Sequence, residues 1–134
     1  AVWVFSLRGP ANHATIAQPT APKPAWTVVT ISGPIVHSNT VTMIDYGFVA
    51  KGNPSFKNEV NLTSNRTSVP VGTKVTWVNT GALPHTSTSS TGHWDTGLVQ
   101  PGGSASIVMN KVGTFTYSCT PHPWMIGQVI VTAK

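Results

Sequence analysis

Charged residues are scarce in this chain of 134 amino acids, and acidic residues are the scarcest. Charged residues make up 8% of the sequence, about a third of their usual share in soluble domains. Hydrophobic residues reach 40%, so the composition does not indicate a charge-rich disordered segment. Eight Lys and Arg outweigh three Asp and Glu to give a net charge of +5, but these basic residues are scattered. We therefore predict no nucleic-acid partner, and we expect acidic partners to be favoured.

Cysteine and long apolar runs are also lacking. The chain has one cysteine, Cys119, so no disulfide can form within it, and core packing or a bound ion must stabilise the fold. No run of eighteen apolar residues occurs, which predicts no membrane-spanning helix. The apolar stretch at residues 1–5 is too short for an intact signal peptide and lacks a basic leader.

Glycine and proline are abundant, with 12 and 11 residues, and they separate short segments rich in Val, Ile, Thr, Trp and Tyr. This pattern is typical of an all-β fold. Within residues 114–119, aromatic residues and the cysteine alternate with Thr and Ser, so we expect the Cys119 thiol to face the core. Three consecutive apolar residues at 129–131 indicate a strand covered on both faces, and hence a central one. The predicted strands are 26–31, 41–49, 74–79, 105–109, 114–119 and 128–132, with a further short strand at 2–6.

The length predicts one compact domain, which we place at residues 26–134. Residues 1–25 are rich in proline and lack periodicity, and we interpret them as an N-terminal arm or linker that can add a strand. Residues 53–68 are polar and contain glycosylation-type triplets at Asn61 and Asn65, which predicts an exposed loop. The Ser- and Thr-rich run at 86–91 predicts a loop or a weak edge strand.

The segment Cys119-Thr120-Pro121-His122-Pro123-Trp124-Met125 places a thiol, an imidazole and a thioether at three-residue intervals. The three side chains can converge only if the chain turns tightly, and the two prolines restrict that turn. Sulfur ligands with imidazole select copper, and two His and one Cys with a weak axial Met are typical of electron-transfer copper sites. A thioether is a poor zinc ligand. Taken singly, Cys119 also suits an inert core thiol, and Met125 suits core packing.

The second imidazole must come from elsewhere in the chain, and His85 is the best candidate. It follows the predicted strand at 74–79, at the same kind of strand end as Cys119, and the intervening chain leaves room for a Greek-key excursion. His93 lies in that excursion, where it suits a surface residue, a group beside the ligands or a substitute ligand. His13 and His37 have polar, Pro- or Asn-containing surroundings, and solvated imidazoles are expected there.

Further motifs follow one another in a familiar order. They are residues 41–48, 69–79, Pro84-His85, 94–97, 101–103 and 113–117. Together they resemble the cupredoxins, the small type 1 blue copper proteins, and most closely the amicyanin- and plastocyanin-like members. The resemblance covers about residues 41–134 and implies a Greek-key β-sandwich or barrel. It also implies one type 1 copper ion with the ligands His85, Cys119, His122 and Met125.

This resemblance implies an extracytoplasmic protein, in the periplasm or cell-surface space, that carries single electrons between redox partner proteins as Cu(I) and Cu(II). His122 is then the electron port. The expected nonpolar rim for partner docking consists of Leu83, Pro84, Pro121, Pro123 and Trp124.

A second function stays open, namely a small copper oxidoreductase that binds nitric oxide or nitrite at an open axial position. Beyond the ligands, only His93 and Asp95 could serve as acid or base, so we favour an electron-transfer protein over an enzyme. Thr86 departs from the family, where Asn often follows the first histidine, and we expect its hydroxyl to tie the two ligand loops together. The arm before residue 25 and the polar insertion around 58–66 are further departures.

Overall fold

The computed structural model describes residues 28–29, 31, 34–45, 47–50, 61–62 and 65–134. In this part of the chain the regular structure consists of short β-strands, and no helix occurs. No helix able to cross a membrane is therefore found there. The strands are β1 (Val28–Val29), β2 (Ile35–Val36), β3 (Thr40–Ile44), β4 (Gly47–Ala50), β5 (Asn61–Leu62), β6 (Arg66–Pro70), β7 (Lys74–Asn79), β8 (Thr88–Ser89), β9 (Ser104–Val108), β10 (Gly113–Ser118) and β11 (Ile126–Thr132).

The strands form two mixed sheets and a small parallel pair, β1 with β5. One sheet has the order β2-β6-β11-β10-β8, in which β6 runs parallel to both its neighbours and the other pairs are antiparallel. The other sheet has the order β4-β3-β7-β9, in which only β3 and β7 are parallel. Both sheets join strands that are distant in sequence, as Greek-key connections do. The predicted all-β sandwich is confirmed.

The inner faces of the two sheets share one hydrophobic core. Strand alternation builds it, since Val75, Trp77 and Asn79 of β7 are buried while the residues between them are more exposed. The ring of Tyr117 from β10 packs edge-on against Trp77 at 5.5 Å and against Phe48 at 4.7 Å between ring centroids. Edge-to-face pairs of this kind stabilise the folded state by about 0.5–1.5 kcal/mol beyond area burial.

The predicted position of two strands is confirmed by the sheet order and the burial pattern. The strand β11 lies between β6 and β10 and is therefore central, although only one of its faces is fully buried. In β10 the side chains of Phe115 and Tyr117 face the core, and Cys119, which follows the strand, continues this buried face. The edge position of β8 also agrees with the weak edge strand expected at 86–91.

The predicted strand at 41–49 is wrong as one element, because the chain reverses within it. It consists of the antiparallel pair β3 and β4, in which Ile44 pairs with Gly47. Asp45 stands in the turn between them, where Asp and Gly are favoured residues.

The exposed loop predicted at 53–68 is also wrong in its last residues. Strand β6 begins at Arg66 and pairs with β2 and β11. Asn65 is only 2% exposed, and its side-chain amide donates a hydrogen bond of 2.8 Å to the Ile126 carbonyl. Polar residues are buried here because such partners satisfy their hydrogen bonds.

Other predictions fall partly or wholly outside the described residues. This holds for the arm at 1–25, the strand at 2–6, His13 and residues 51–60. Of the predicted strand at 26–31, only Val28–Val29 is described as strand. His37 is exposed, as expected for a solvated imidazole.

Candidate metal centre

Three side chains that the sequence singled out meet where β7 and β10 end. His85 lies in the segment after β7, Cys119 directly follows β10, and His122 lies in the loop that leads to β11. The Nδ1 atoms of the two histidines are 3.0 Å apart, and the Cys119 Sγ atom lies 3.7 Å from His85 Nδ1 and 3.5 Å from His122 Nδ1. His85 and Cys119 are fully buried, and His122 is 3% exposed.

The space between these three atoms has the size of one transition-metal ion. A point equidistant from the two Nδ1 atoms and Sγ lies about 2.0 Å from each, and metal–nitrogen and metal–sulfur bonds measure about 2.0–2.3 Å. One thiol and two imidazoles are the donors that suit copper. Both the size and the chemistry of the site therefore fit a copper ion.

The loop from Cys119 to Met125 closes on itself through backbone hydrogen bonds. The His122 N–H donates to the Cys119 carbonyl at 3.2 Å, and the Met125 N–H donates to the His122 carbonyl at 2.9 Å. The Cys119 N–H in turn donates to the Met125 carbonyl at 3.1 Å. The loop thus brings Met125 back beside Cys119, and the Met125 side chain is fully buried.

His85 is held by partners outside its own segment. Its backbone N–H and carbonyl pair with Val99 at 3.1 and 2.7 Å. The side chain of Asn79, at the end of β7, donates to the Leu83 carbonyl at 2.9 Å and the Val99 carbonyl at 2.8 Å, and it accepts from the Gly81 N–H at 2.9 Å. The backbone path from β7 to His85 is therefore fixed by one buried amide.

A carboxylate lies on the far side of the His85 ring. Asp45 Oδ1 is 2.9 Å from His85 Nε2, so it accepts that N–H. Burial raises the pKa of Asp45, but hydrogen bonds from the Ala82 N–H, His85 and the Leu83 N–H outweigh burial and hold it below its ordinary value.

The tie predicted for Thr86 is confirmed. Its hydroxyl oxygen accepts a hydrogen bond of 2.9 Å from the Thr120 N–H, and this links the two ligand-bearing segments. The Thr86 backbone N–H also donates to the Cys119 sulfur at 3.3 Å. Such bonds orient a sulfur ligand and stabilise its thiolate.

Burial dominates the protonation of the three clustered groups. It raises the pKa of the Cys119 thiol to about 11, against the lowering effect of the Thr86 N–H. Burial, together with the neighbouring His85, lowers the pKa of His122 to about 4, and burial lowers that of His85 despite Asp45. At neutral pH the metal-free cluster therefore holds a thiol and two neutral imidazoles, so a metal that binds the thiolate must displace the thiol proton.

Two other residues singled out in the sequence lie elsewhere. His93 is exposed and packs edge-on against the Phe115 ring at 4.7 Å between centroids. It is not among the clustered donors, and its exposure fits the surface residue that was one of its three interpretations. Asp95 accepts hydrogen bonds from the Thr88 hydroxyl at 3.1 Å and the Gly97 N–H at 2.9 Å. Neither residue supplies an acid or base at the cluster.

Sequence reasoning missed two residues that shape the site, Asn79 and Asp45. Asn79 could have been found from the sequence, because it is a polar residue at the next position of the inward-facing series that begins with Val75 and Trp77. Asp45 had none, because it lies 40 residues before His85 and reaches it only through the pairing of β3 with β7.

Four of the five residues predicted to form a nonpolar rim around His122 are at least partly exposed. Leu83 is 38% exposed, Pro123 is exposed, and Pro84 and Trp124 are half-buried. Pro121 is buried, so its predicted place in an exposed rim is wrong. The Trp124 ring packs on the His122 ring at 5.3 Å between centroids.

Comparison with known proteins places the chain among copper proteins. Residues 52–132 match the copper-binding proteins of the plastocyanin/azurin family. Amicyanin-alpha of Methylorubrum extorquens is 33% identical over 93 residues, which cover 58% of this chain and 74% of that protein. Amicyanin of Paracoccus denitrificans is 35% identical over 73 residues, which cover 47% of this chain and 52% of that protein.

Solved structures share the fold. A purple cupredoxin from Nitrosopumilus maritimus has a TM-score of 0.54 and 25% identity, over 69% of this chain and 98% of that one. An oxidised amicyanin variant has a TM-score of 0.55 and 22% identity, over 77% and 97% of the two chains. A copper-containing nitrite reductase from Thermus scotoductus has a TM-score of 0.56 and 22% identity, over 87% of this chain and 26% of that one, and this likeness is one of fold.

The matched family covers more than half of the sequence, and it includes both ligand-bearing segments. The donors gathered by the fold are those that copper prefers. The chain belongs to the plastocyanin/azurin family of copper-binding proteins, the cupredoxins, and copper is its cofactor.

Proposed function

We propose that this cupredoxin carries single electrons between redox partner proteins, and that His85, Cys119, His122 and Met125 would hold its copper ion. The observation that carries the proposal is the preassembled cluster of one sulfur and two nitrogen donors, all buried and within 4.8 Å of one another. Copper bound there would supply reversible one-electron chemistry, because a thiolate and two imidazoles suit both of its oxidation states.

The surroundings of the cluster support electron transfer because they restrain each donor. The backbone of His85 is paired with Val99, and the Cys119 sulfur accepts from the Thr86 N–H. The loop that carries His122 is closed by its own backbone hydrogen bonds. Donors held in this way need to move little when the charge of the site changes, which favours fast exchange.

We further propose that partners dock over His122, since at 3% exposure it is the one clustered donor that is not fully buried. Trp124 packs on the His122 ring, and the nonpolar residues Leu83 and Pro123, the latter next to His122 in the chain, are exposed. Small nonpolar surfaces suit transient redox encounters. The net charge of +5 favours partners with acidic groups. The resemblance to cupredoxins supports an extracytoplasmic location, in the periplasm or cell-surface space.

The alternative is a copper oxidoreductase that binds nitric oxide or nitrite at an open axial position. His85, Cys119 and Met125 are each fully buried, which leaves a small molecule no exposed edge of these residues to approach. No described acid or base other than Asp45 is hydrogen-bonded to the cluster, and Asp45 is already engaged by three N–H groups. These observations favour the carrier.

The visible spectrum of the copper-loaded, oxidised protein tests the proposal. We expect an intense thiolate-to-Cu(II) band that bleaches on reduction, and we expect Cys119→Ser to abolish it. His93→Ala is the matched control and should keep the band, because His93 is not among the clustered donors. Met125→Leu should keep the band and shift the reduction potential, since the axial ligand tunes it.

Each result has a contrary outcome. A wild-type protein that stays colourless with cupric salt and oxidant would contradict the copper assignment. Loss of the band in His93→Ala would contradict the choice of histidines. An unchanged potential in Met125→Leu would show that Met125 is a core residue and not a copper ligand. Water bound to the metal in the wild-type protein would favour the oxidoreductase.

A further inference from the structure

One carboxylate reaches the candidate copper site from outside both ligand segments. Asp45 lies in the turn between β3 and β4, and its Oδ1 atom is 2.9 Å from His85 Nε2. The Asp45 side chain is 26% exposed, whereas that of His85 is fully buried. The bond therefore joins a buried metal-site imidazole to a carboxylate at the protein surface.

The position of this carboxylate is fixed by the fold. Strand β3 runs parallel to β7 with Met43 beside Asn79, which brings the turn after β3 next to the segment after β7. The Ala82 N–H lies 3.1 and 3.0 Å from the two carboxylate oxygens, and the Leu83 N–H lies 3.2 Å from Oδ1. With His85, three N–H groups hold Asp45 in one orientation.

Gly81 leaves the room that this arrangement needs. A Cβ atom at residue 81 would overlap the Asp45 carboxylate, at 3.0 Å from its Cγ, and it would lie 3.1 Å from His85 Nε2. These distances are too short for ordinary contact. A side chain at residue 81 would therefore force the Asp45 carboxylate to move from its place beside His85.

We propose that Asp45 is a positioning residue for the copper ligand His85, an inference that rests on the proposed function. By accepting the Nε2–H of His85, the carboxylate fixes the tautomer whose Nδ1 lone pair points at the Cys119 sulfur and the His122 ring. A carboxylate behind a ligating imidazole also raises the basicity of the ligating nitrogen.

The contact between the two histidines shows which of them carries a proton on Nδ1. Their Nδ1 atoms are 3.0 Å apart, and a hydrogen bond there needs one donor and one acceptor. Because Asp45 makes His85 the acceptor, His122 carries the Nδ1 proton in the metal-free protein. Asp45 thus prepares His85 for the metal in advance, while His122 must change tautomer, with its proton moved from Nδ1 to Nε2, before its Nδ1 can bind a metal.

The charge of Asp45 acts in the same direction as its hydrogen bond. A negative carboxylate behind the ligand favours the more positive oxidation state of a bound ion. We therefore expect Asp45 to strengthen Cu(II) binding more than Cu(I) binding, and hence to lower the reduction potential.

Two variants separate the hydrogen bond from the charge. Asp45→Asn keeps the shape and removes the charge, whereas Gly81→Ala keeps the charge and displaces the carboxylate from His85. Both should lower Cu(II) affinity by about 10- to 100-fold, the usual effect of losing such a partner. Each tenfold loss relative to Cu(I) appears as a rise of about 59 mV in potential. Asp95→Asn is the matched control, because it removes an equal charge elsewhere, and it should change Cu(II) affinity by less than threefold.

Imidazole 15N NMR of the metal-free protein provides a readout that does not depend on copper. The wild-type protein should show His85 with its proton on Nε2 alone, and Gly81→Ala should show a mixture of tautomers.

The inference is wrong if Asp45→Asn matches Asp95→Asn in affinity and potential, or if His85 in the wild-type protein carries its proton on Nδ1. If Gly81→Ala fails to fold, Asp45→Asn alone decides. A wild-type protein that binds no copper overturns the proposed function instead, and the NMR result still judges the role of Asp45 in fixing the tautomer.

Discussion

The two segments that carry the candidate ligands are held in opposite ways. The loop from Cys119 to Met125 closes through hydrogen bonds between its own backbone groups. The segment before His85 depends on distant groups, with Asn79 fixing its backbone and Asp45 fixing the imidazole. The Cys119 to Met125 loop is therefore set by a contiguous sequence motif, whereas the segment before His85 takes its shape only after the sheets have formed.

Of the substitutions considered, Asn79→Ala should destabilise the segment before His85 most strongly. It removes two buried hydrogen bonds to carbonyl groups and a third from the Gly81 N–H, and leaves those partners unsatisfied. We expect a loss of about 2–4 kcal/mol in the free energy of unfolding, from buried polar groups left without partners. Urea unfolding of the metal-free protein measures this loss.

The exposed Asn110 offers a matched control, since Asn110→Ala should change stability by less than about 0.5 kcal/mol. A loss below 1 kcal/mol in Asn79→Ala would show that His85 is held without this amide.

The pH dependence of stability in the metal-free protein probes both segments together. His122 has a pKa of about 4 in the folded protein against an ordinary 6.5, so the unfolded chain binds more protons between these values and stability falls as pH drops. The lowered pKa of His85 acts in the same direction. Cys119 has a pKa of about 11 against an ordinary 9.0, so stability falls as pH rises through this interval.

We therefore expect the metal-free protein to be most stable between about pH 6.5 and 9, with a loss on the order of 2 kcal/mol towards either end. The urea midpoint, measured as a function of pH, checks this profile. Cys119→Ser should reduce the alkaline loss and keep the acid one, and the alkaline loss that remains comes from Tyr117, whose pKa burial also raises. A flat profile in the wild-type protein, or an alkaline loss of unchanged size in Cys119→Ser, would contradict the burial of these groups as the cause.

The contrast between the two segments also explains what the sequence could and could not predict. The Cys119 to Met125 loop was predictable because its ligand types, spacing and prolines are adjacent in the chain. His85 was predictable from its place after a strand with clear alternation. Asp45 was not, because the register between β3 and β7 is a property of the folded sheet.

The fold shows the same division. Strand β7 was predicted with its observed bounds, because alternating buried residues and a following turn mark it clearly. The reversal at Asp45 was missed, since apolar residues on both sides resemble one continuous strand. Strand β6 was missed because Arg66, Thr67 and Ser68 are polar, and their burial depends on neighbouring strands that supply hydrogen-bond partners.

X-ray absorption fine structure at the copper edge of the oxidised protein measures whether His85, Cys119 and His122 bind one copper ion together, as we propose. We expect one short copper–sulfur distance and two copper–nitrogen distances from imidazole, with the sulfur contribution lost in Cys119→Ser. A copper site built only of nitrogen and oxygen ligands in the wild-type protein would contradict this proposal.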